Sequence, residues 1–267
     1  MELVMLGTGN AGVTKCYNTC FAIRNDKDCL LVDAGGGNGI LRQLELAGIA
    51  LTDIHQMFIT HAHTDHILGA IWVVRMVAQR MLKGRYEGTF TVYGHDKVLN
   101  VLDTCCRMML TKKIVKLIGE SILFCELKDG DAFEATGLSA HCFDIGSTKE
   151  KQYGFSARLK NGQTLTCLGD EPYNPRNHGF AANADWLMSE AFCLYADREV
   201  FSPYEKHHST ALDAGRLAEE LSVKNLLLYH TEDTRLAERK SLYTEEASRS
   251  FSGKIWVPDD LEVIDLG

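Results

Sequence analysis

Proline is scarce, with four residues in 267, and no Pro-rich or Ser/Gly-rich stretch, low-complexity tract or repeat interrupts the chain. Nothing marks a linker, so residues 1–267, 45 % of them hydrophobic, are expected to bury a core as a single domain. No apolar run approaches the length of a membrane span, and Met1-Glu2-Leu3-Val4-Met5-Leu6 carries neither a basic leader nor a cleavage site. The expectation is a cytoplasmic protein that makes no use of a membrane. Basic residues are also too few: a formal charge of -8 disfavours a surface built mainly to hold nucleic-acid backbone. Only Lys112, Lys113 and Lys116 form a local basic cluster that could guide phosphate. The nine cysteines are odd in number and scattered, which fits reduced thiols better than a disulfide framework. Cys16 and Cys20 are near enough for a structural metal, but no second pair matches them.

What is abundant lies in one stretch. Thr60-His61-Ala62-His63-Thr64-Asp65-His66 brings three imidazoles and a carboxylate together, a density typical of zinc-type sites. Gln56-Met57-Phe58-Ile59-Thr60 before it reads as a buried strand, and the apolar run from Ile67 to Leu82 after it reads as a helix. On extended backbone His61 and His63 project to one side, whereas Asp65 and His66, past the bend, are expected not to aim at one point. That pattern suits two adjacent metals.

Gly7-Thr8-Gly9-Asn10-Ala11-Gly12 follows a strand and matches the dinucleotide-binding fingerprint, with Asp33 near the place of the ribose-binding acid. The fingerprint needs a helix after the glycines. Val13 to Ile23 is rich in strand formers instead, and Asn25-Asp26-Lys27-Asp28 turns directly into Cys29-Leu30-Leu31-Val32-Asp33. Consecutive strands are expected, and the glycines become a tight turn near the floor of the metal site. Further on, the spacing predicts helices over residues 38–47 and 96–109, with His95 as a surface or capping imidazole. Strands are predicted over 121–127 and 138–145, the second with His141 in its middle. A hairpin about Asn161-Gly162 ends at Asp170, and strands ending at Glu190 and His230 follow. His207 and His208 open a helix from Ala211. The architecture is α/β.

These residues, in this order, resemble the metallo-β-lactamase superfamily, an αββα sandwich of two mixed sheets flanked by helices. The matching motifs are Asp33; His61, His63, Asp65 and His66; His141; Asp170; and His230. The resemblance implies one divalent ion, zinc or else manganese or iron, held by His61, His63 and His141. A second ion would be held by Asp65, His66 and His230, with Asp170 bridging. Leu6-Gly7-Thr8-Gly9-Asn10-Ala11, Ser189-Glu190-Ala191 and His208-Ser209-Thr210 resemble segments of ribonuclease Z and its phosphodiesterase relatives. In that branch the counterpart of His208 is proposed as a proton donor, steadied by the counterpart of Glu190.

Two ions a few ångströms apart acidify a shared water and clamp a developing oxyanion, which makes in-line attack on a phosphodiester feasible. Asp65 could orient that water, His208 could protonate the leaving alkoxide, and Glu190 would fix the tautomer of His208. The tRNA-maturing enzymes carry a long arm between the third histidine ligand and the bridging aspartate, and the segment from His141 to Asp170 has no room for one. The expectation is therefore a dinuclear hydrolase of a small nucleotide-type phosphodiester or short RNA. A ribonuclease Z-type tRNA 3′-processing enzyme, a lactonase or thioesterase, and a non-catalytic metal or nucleotide sensor are the alternatives. A homodimer stays open.

Overall fold

The computed structural model describes residues 1–267. Fourteen strands form two seven-stranded sheets. The first contains β1 (Glu2–Gly7), β2 (Cys20–Asn25), β3 (Asp28–Val32), β4 (Ile54–Phe58), β5 (Phe90–Gly94) and β6 (Ile122–Glu126). The second contains β7 (Ala132–Ala135), β8 (Leu138–Asp144), β9 (Tyr153–Arg158), β10 (Thr164–Cys167), β11 (Trp186–Glu190), β12 (Asn225–Tyr229) and β13 (Lys254–Trp256). The last strand, β14 (Val263–Asp265), returns to the first sheet and pairs antiparallel with β1. The helices are α1 (Gly39–Leu46), α2 (Thr64–Leu82), α3 (Asp96–Met109), α4 (Lys112–Val115), α5 (His178–Ala181), α6 (Arg198–Phe201), α7 (Ala211–Glu220) and α8 (Arg239–Ser248).

Strand alternation explains the layering, because successive side chains face opposite sides of a sheet. Leu3, Met5, Leu30 and Val32 point between the sheets, where they meet Phe155, Leu165, Met188 and Leu227. Val4, Leu6 and Leu31 point outward onto Ile40 and Leu44 of α1 and Val73 and Val77 of α2. On the other side Leu187, Leu226 and Leu228 meet Ala211, Ala214 and Ala218 of α7 and Tyr243 of α8. Three apolar layers thus separate four structural ones. Each fully buried Val or Leu contributes about 1.5–3 kcal/mol. The architecture is the αββα sandwich expected from the sequence.

β1, β2 and β3 are joined antiparallel, with no helix between them, so the glycine-rich turn is not a dinucleotide-binding element. The sequence reading missed β7. It also started the final helix near Thr234, whereas α8 begins at Arg239. From β3 to β6, and from β10 to β13, neighbouring strands run parallel. The carboxyl ends of parallel strands are where open α/β sheets gather ligands. Here Asp33 and His61 follow the ends of β3 and β4, while Asp170, Glu190 and His230 come at the ends of β10, β11 and β12. A bond from the Tyr153 backbone N–H to the Thr60 carbonyl, 3.0 Å, ties the two sheets together at this edge. No helix is long and apolar enough to cross a membrane.

Candidate metal centre

Helix α2 begins at Thr64, three residues earlier than expected, with His63 in extended backbone at its N-cap. Asp65 and His66 therefore lie in its first turn, where the helix dipole favours a carboxylate. The amino end of α2 is seated on the Ala34–Gly37 loop by bonds from Ala34 N–H to the His66 carbonyl, 3.0 Å, and from Gly69 N–H to the Gly35 carbonyl, 2.9 Å. Only glycine fits at position 69, since a Cβ there would stand 1.8 Å from the Ala34 carbonyl oxygen. Across the gap, Gly169 adopts φ +85°, a left-handed turn that aims Asp170 back toward the sheet edge.

Five side chains converge. The Oδ2 of Asp170 lies 3.5 Å from His61 Nε2, 3.4 Å from His66 Nε2 and 3.5 Å from His230 Nε2. The Oδ2 of Asp65 lies 3.4 Å from His66 Nε2 and 3.6 Å from His230 Nε2. Asp65 and His66 thus aim at one point, against the reading from the bend alone and in keeping with the shared ion that the resemblance implies. The reason is that the Nδ1 of His66 is held 2.7 Å from Asp33 Oδ2, which swings its Nε2 back toward Asp65. Donors bound at 2.0–2.2 Å to a tetrahedral ion stand roughly 3.3–3.6 Å apart. The contacts that Asp65 and Asp170 each make with His66 and His230, 3.4–3.6 Å, match that spacing.

The surroundings fix which atoms are free to bind. Asp33 accepts from Thr60 N–H, 2.8 Å, and Thr60 Oγ1–H, 2.7 Å, as well as from His66 Nδ1. Thr60 Oγ1 in turn stands 2.9 Å from His61 Nδ1, leaving the Nε2 atoms of both histidines for a ligand role. Gln152, buried and unremarked in the sequence, donates its amide to Asp170 Oδ1 while its Oε1 accepts from Asp170 N–H, 2.9 Å. The Oδ2 of Asp170 is left facing the histidines. His66 Nε2 and both ring nitrogens of His230 are buried without a hydrogen-bond partner.

Charge makes the same case. Asp33, Asp65 and Asp170 are all buried, and unpaired buried carboxylates cost several kcal/mol each. Burial alone would raise the proton affinity of Asp65 and Asp170, yet the neighbouring histidines win for both. His230 and His66 hold Asp65 far below the usual carboxylate range, and His61, His66 and His230 do the same for Asp170. Burial opposes a charge on His66 too, but Asp33, Asp170 and Asp65 push its pKa well up, while burial drives that of His61 well down. The cluster demands positive charge, and a divalent ion would supply it. The donor set fits a metal.

The other flank is less complete. His63 Nδ1 lies 2.8 Å from His61 Nε2, and Asp170 completes this side. His141 does not join it. In β8 Leu138, Ala140 and Cys142 fill the layer between the sheets, so His141 falls on the opposite phase and its side chain is exposed. His95 caps α3, accepting from Val98 N–H, and is buried rather than at the surface.

His208 sits beyond His230, with 5.3 Å between ring centroids, and is stacked on Phe192 at 4.7 Å and 9° from parallel. Its Nδ1 is 3.6 Å from Glu190 Oε2, too long for a hydrogen bond. Both carboxylate oxygens of Glu190 accept backbone N–H groups instead, from Ser209 at 2.5 Å and Phe192 at 3.1 Å. Glu190 thus anchors the backbone around His208 without a hydrogen bond to its ring, and Phe192 stacks on that ring. The three lysines at 112, 113 and 116 are exposed about a buried Ile114.

Two sheets whose strand ends meet over a buried His/Asp cluster define a metal-dependent hydrolase of the metallo-β-lactamase fold. Within that class the chain belongs to the family of the anti-Pycsar protein Apyc1, whose model matches residues 1–248. It is 26 % identical to a protein named ribonuclease Z from Streptomyces avermitilis, over 97 % of this chain and 96 % of that one. Among solved structures it is similar to the metallo-β-lactamase fold protein YhfI from Bacillus subtilis, with TM-score 0.79 and 20 % identity over 98 % of both chains. It also resembles the short form of human tRNase Z, with TM-score 0.76 and 20 % identity over the full length of both.

Proposed function

We propose that this chain is a dinuclear phosphodiesterase of small nucleotide-type substrates. The observation that carries the reading is the placement of Asp170 Oδ2 within 3.4–3.5 Å of the Nε2 atoms of His61, His66 and His230. A single carboxylate oxygen there serves both halves of the cluster. Asp65, His66, His230 and Asp170 would hold one ion, and His61, His63 and Asp170 a second, more weakly bound one. Zinc suits this mixture of imidazole and carboxylate, with manganese and iron as substitutes. Such ions, when bound, acidify coordinated water and neutralise charge on a phosphoryl oxygen.

The chain's own groups do the rest. Asp33 keeps the proton on His66 Nδ1, Thr60 does the same for His61, and Gln152 holds the orientation of Asp170. Asp65 stands at the cluster with one oxygen directed at the histidines, placed to orient the attacking water. His208, stacked on Phe192 and outside both ligand sets, would donate its proton to the leaving alkoxide oxygen. A proton donor matters most for a poor leaving group such as a ribose oxygen, which favours phosphodiesters over lactones and thioesters.

Substrate size follows from the short path between β8 and Asp170. It consists of loop 145–152, the β9–β10 hairpin and Gly169, with no arm that could grip a tRNA. The relative named ribonuclease Z supports RNA as a second reading. A hydrolysis panel of cyclic nucleotides, bis-p-nitrophenyl phosphate, a short oligoribonucleotide, pre-tRNA, a lactone and a thioester decides between them. Turnover of the small phosphodiesters with poor pre-tRNA cleavage is expected. Efficient single-site cleavage at the tRNA 3′ end, or a preference for the lactone, would overturn the proposal.

A further inference from the structure

Beside the metal cluster lies a cavity of about 330 Å³ to which the chemistry above assigns no role. Its walls are the Gly36–Asn38 loop, the first turns of α2 and the end of α3. On α2, Leu68, Trp72 and Arg75 follow Asp65 at spacings of three and four residues, so one stripe of the helix runs from the cluster into the cavity. The loop wall is equally close: a Cβ on Gly36 would stand 3.9 Å from Asp65 Cα. Trp72, seven residues beyond Asp65, lies about 10 Å further along the helix axis. That span matches the reach of a mononucleotide from its phosphate to the far edge of its base.

The lining has a particular chemistry. It offers the half-buried indole of Trp72, the guanidinium of Arg75 at 5.3 Å from the indole centroid, and the exposed amide of Asn38, but no carboxylate. A cationic ligand finds no carboxylate there and meets the like charge of Arg75. A flat, electron-rich ring does, because bases stack on indole and guanidinium planes and an amide can meet the donors and acceptors on a base edge. Two residues past Leu110, which lines the cavity, the exposed Lys112 and Lys113 add positive potential for an anionic ligand. We propose that this cavity is the nucleobase subsite, with Trp72 as the stacking platform and Arg75 as its cationic edge. The inference rests on the phosphodiesterase reading.

The test compares two esters that share a leaving group and differ in the nucleoside: thymidine 5′-(p-nitrophenyl phosphate) and methyl p-nitrophenyl phosphate. The zinc-loaded protein should favour the first. In Trp72→Ala the ratio of the two kcat/KM values should fall about 10- to 100-fold, mostly through KM, while Trp72→Phe keeps most of it. Arg75→Ala, at an exposed position that folding does not need, should lower the same ratio about two- to fivefold. Calorimetric titration with thymidine 5′-monophosphate should show matching losses of affinity. An unchanged ratio with unchanged mononucleotide binding in both variants would overturn the subsite. Equal losses on both esters with a shift in oligomeric state would assign the cavity to contact between two copies and overturn it as well. If the protein cleaves neither ester, the phosphodiesterase reading falls separately. The mononucleotide titration then decides the cavity alone, with weaker binding in Trp72→Ala supporting it and equal binding refuting it.

Discussion

On one side of Asp170 the metal cluster is closed by Asp65, His66 and His230, three buried side chains from two elements, the first turn of α2 and the end of β12. On the other side only His61 and the half-buried His63 stand, two residues apart on one short extended segment. The first half draws on both sheets, and a bond from His66 to Asp33 preorganises it. The second lacks the histidine that was expected at 141. Rigidity comes from the variety of elements that contribute ligands and from the groups that hold them, not from the number of histidines in a motif. On the proposed dinuclear reading, this asymmetry would give two ions of unequal affinity.

The comparison breaks most completely at the residue both halves share. Asp170→Ala should lose metal from both sides and reduce phosphodiester turnover by on the order of 10³-fold or more, checked by elemental analysis beside the rate. Retention of two ions at full activity would deny it a bridging place. His208→Ala should keep its metals but lose roughly 10²- to 10⁴-fold on a substrate with an alkoxide leaving group. On a p-nitrophenyl ester, whose leaving group departs without a proton, it should lose much less. Equal losses on both substrates would make His208 a binding or structural residue.

The supporting shell sharpens the contrast between the halves. Asp33→Asn removes the charge behind His66 and should weaken metal affinity about 10- to 100-fold. Competition with a fluorescent zinc chelator measures this, and an unchanged affinity would show that the bond to His66 is dispensable. His141→Ala gives the smallest effect. Because that side chain is exposed, both stability and turnover should change by no more than about twofold, within the range of ordinary surface substitutions. A large loss of metal in that variant would return His141 to the site.

Much of the site was legible because strand ends advertise themselves. His61, Asp170 and His230 each follow an apolar run, and α3 spans the residues that its caps and periodicity had indicated. The failure at His141 has a physical origin. Cys142 and Phe143 are both apolar and both buried but face opposite layers, so the end of β8 does not reveal its phase. One residue of phase decides whether an imidazole faces a metal or water. Gln152 and Phe192 escaped notice for another reason. A neutral amide and a phenyl ring carry no ligand signature, and their importance arises only when folding sets them against Asp170 and His208. Glu190 was found beside the imidazole it was expected to steady, 3.6 Å away, but spacing cannot tell a carboxylate that bonds to an imidazole from one saturated by backbone N–H groups.

The central claim is that Asp170 joins a strong metal position to a weak one. Stepwise chelation of the zinc-reconstituted protein, followed by elemental analysis and circular dichroism, tests it most directly. The account expects about two ions per chain after reconstitution, one leaving at chelator concentrations at least about tenfold below those that remove the other, with the fold intact after the first departs. Two ions leaving together with a single affinity, or fewer than one ion bound by a folded chain after reconstitution, would contradict it.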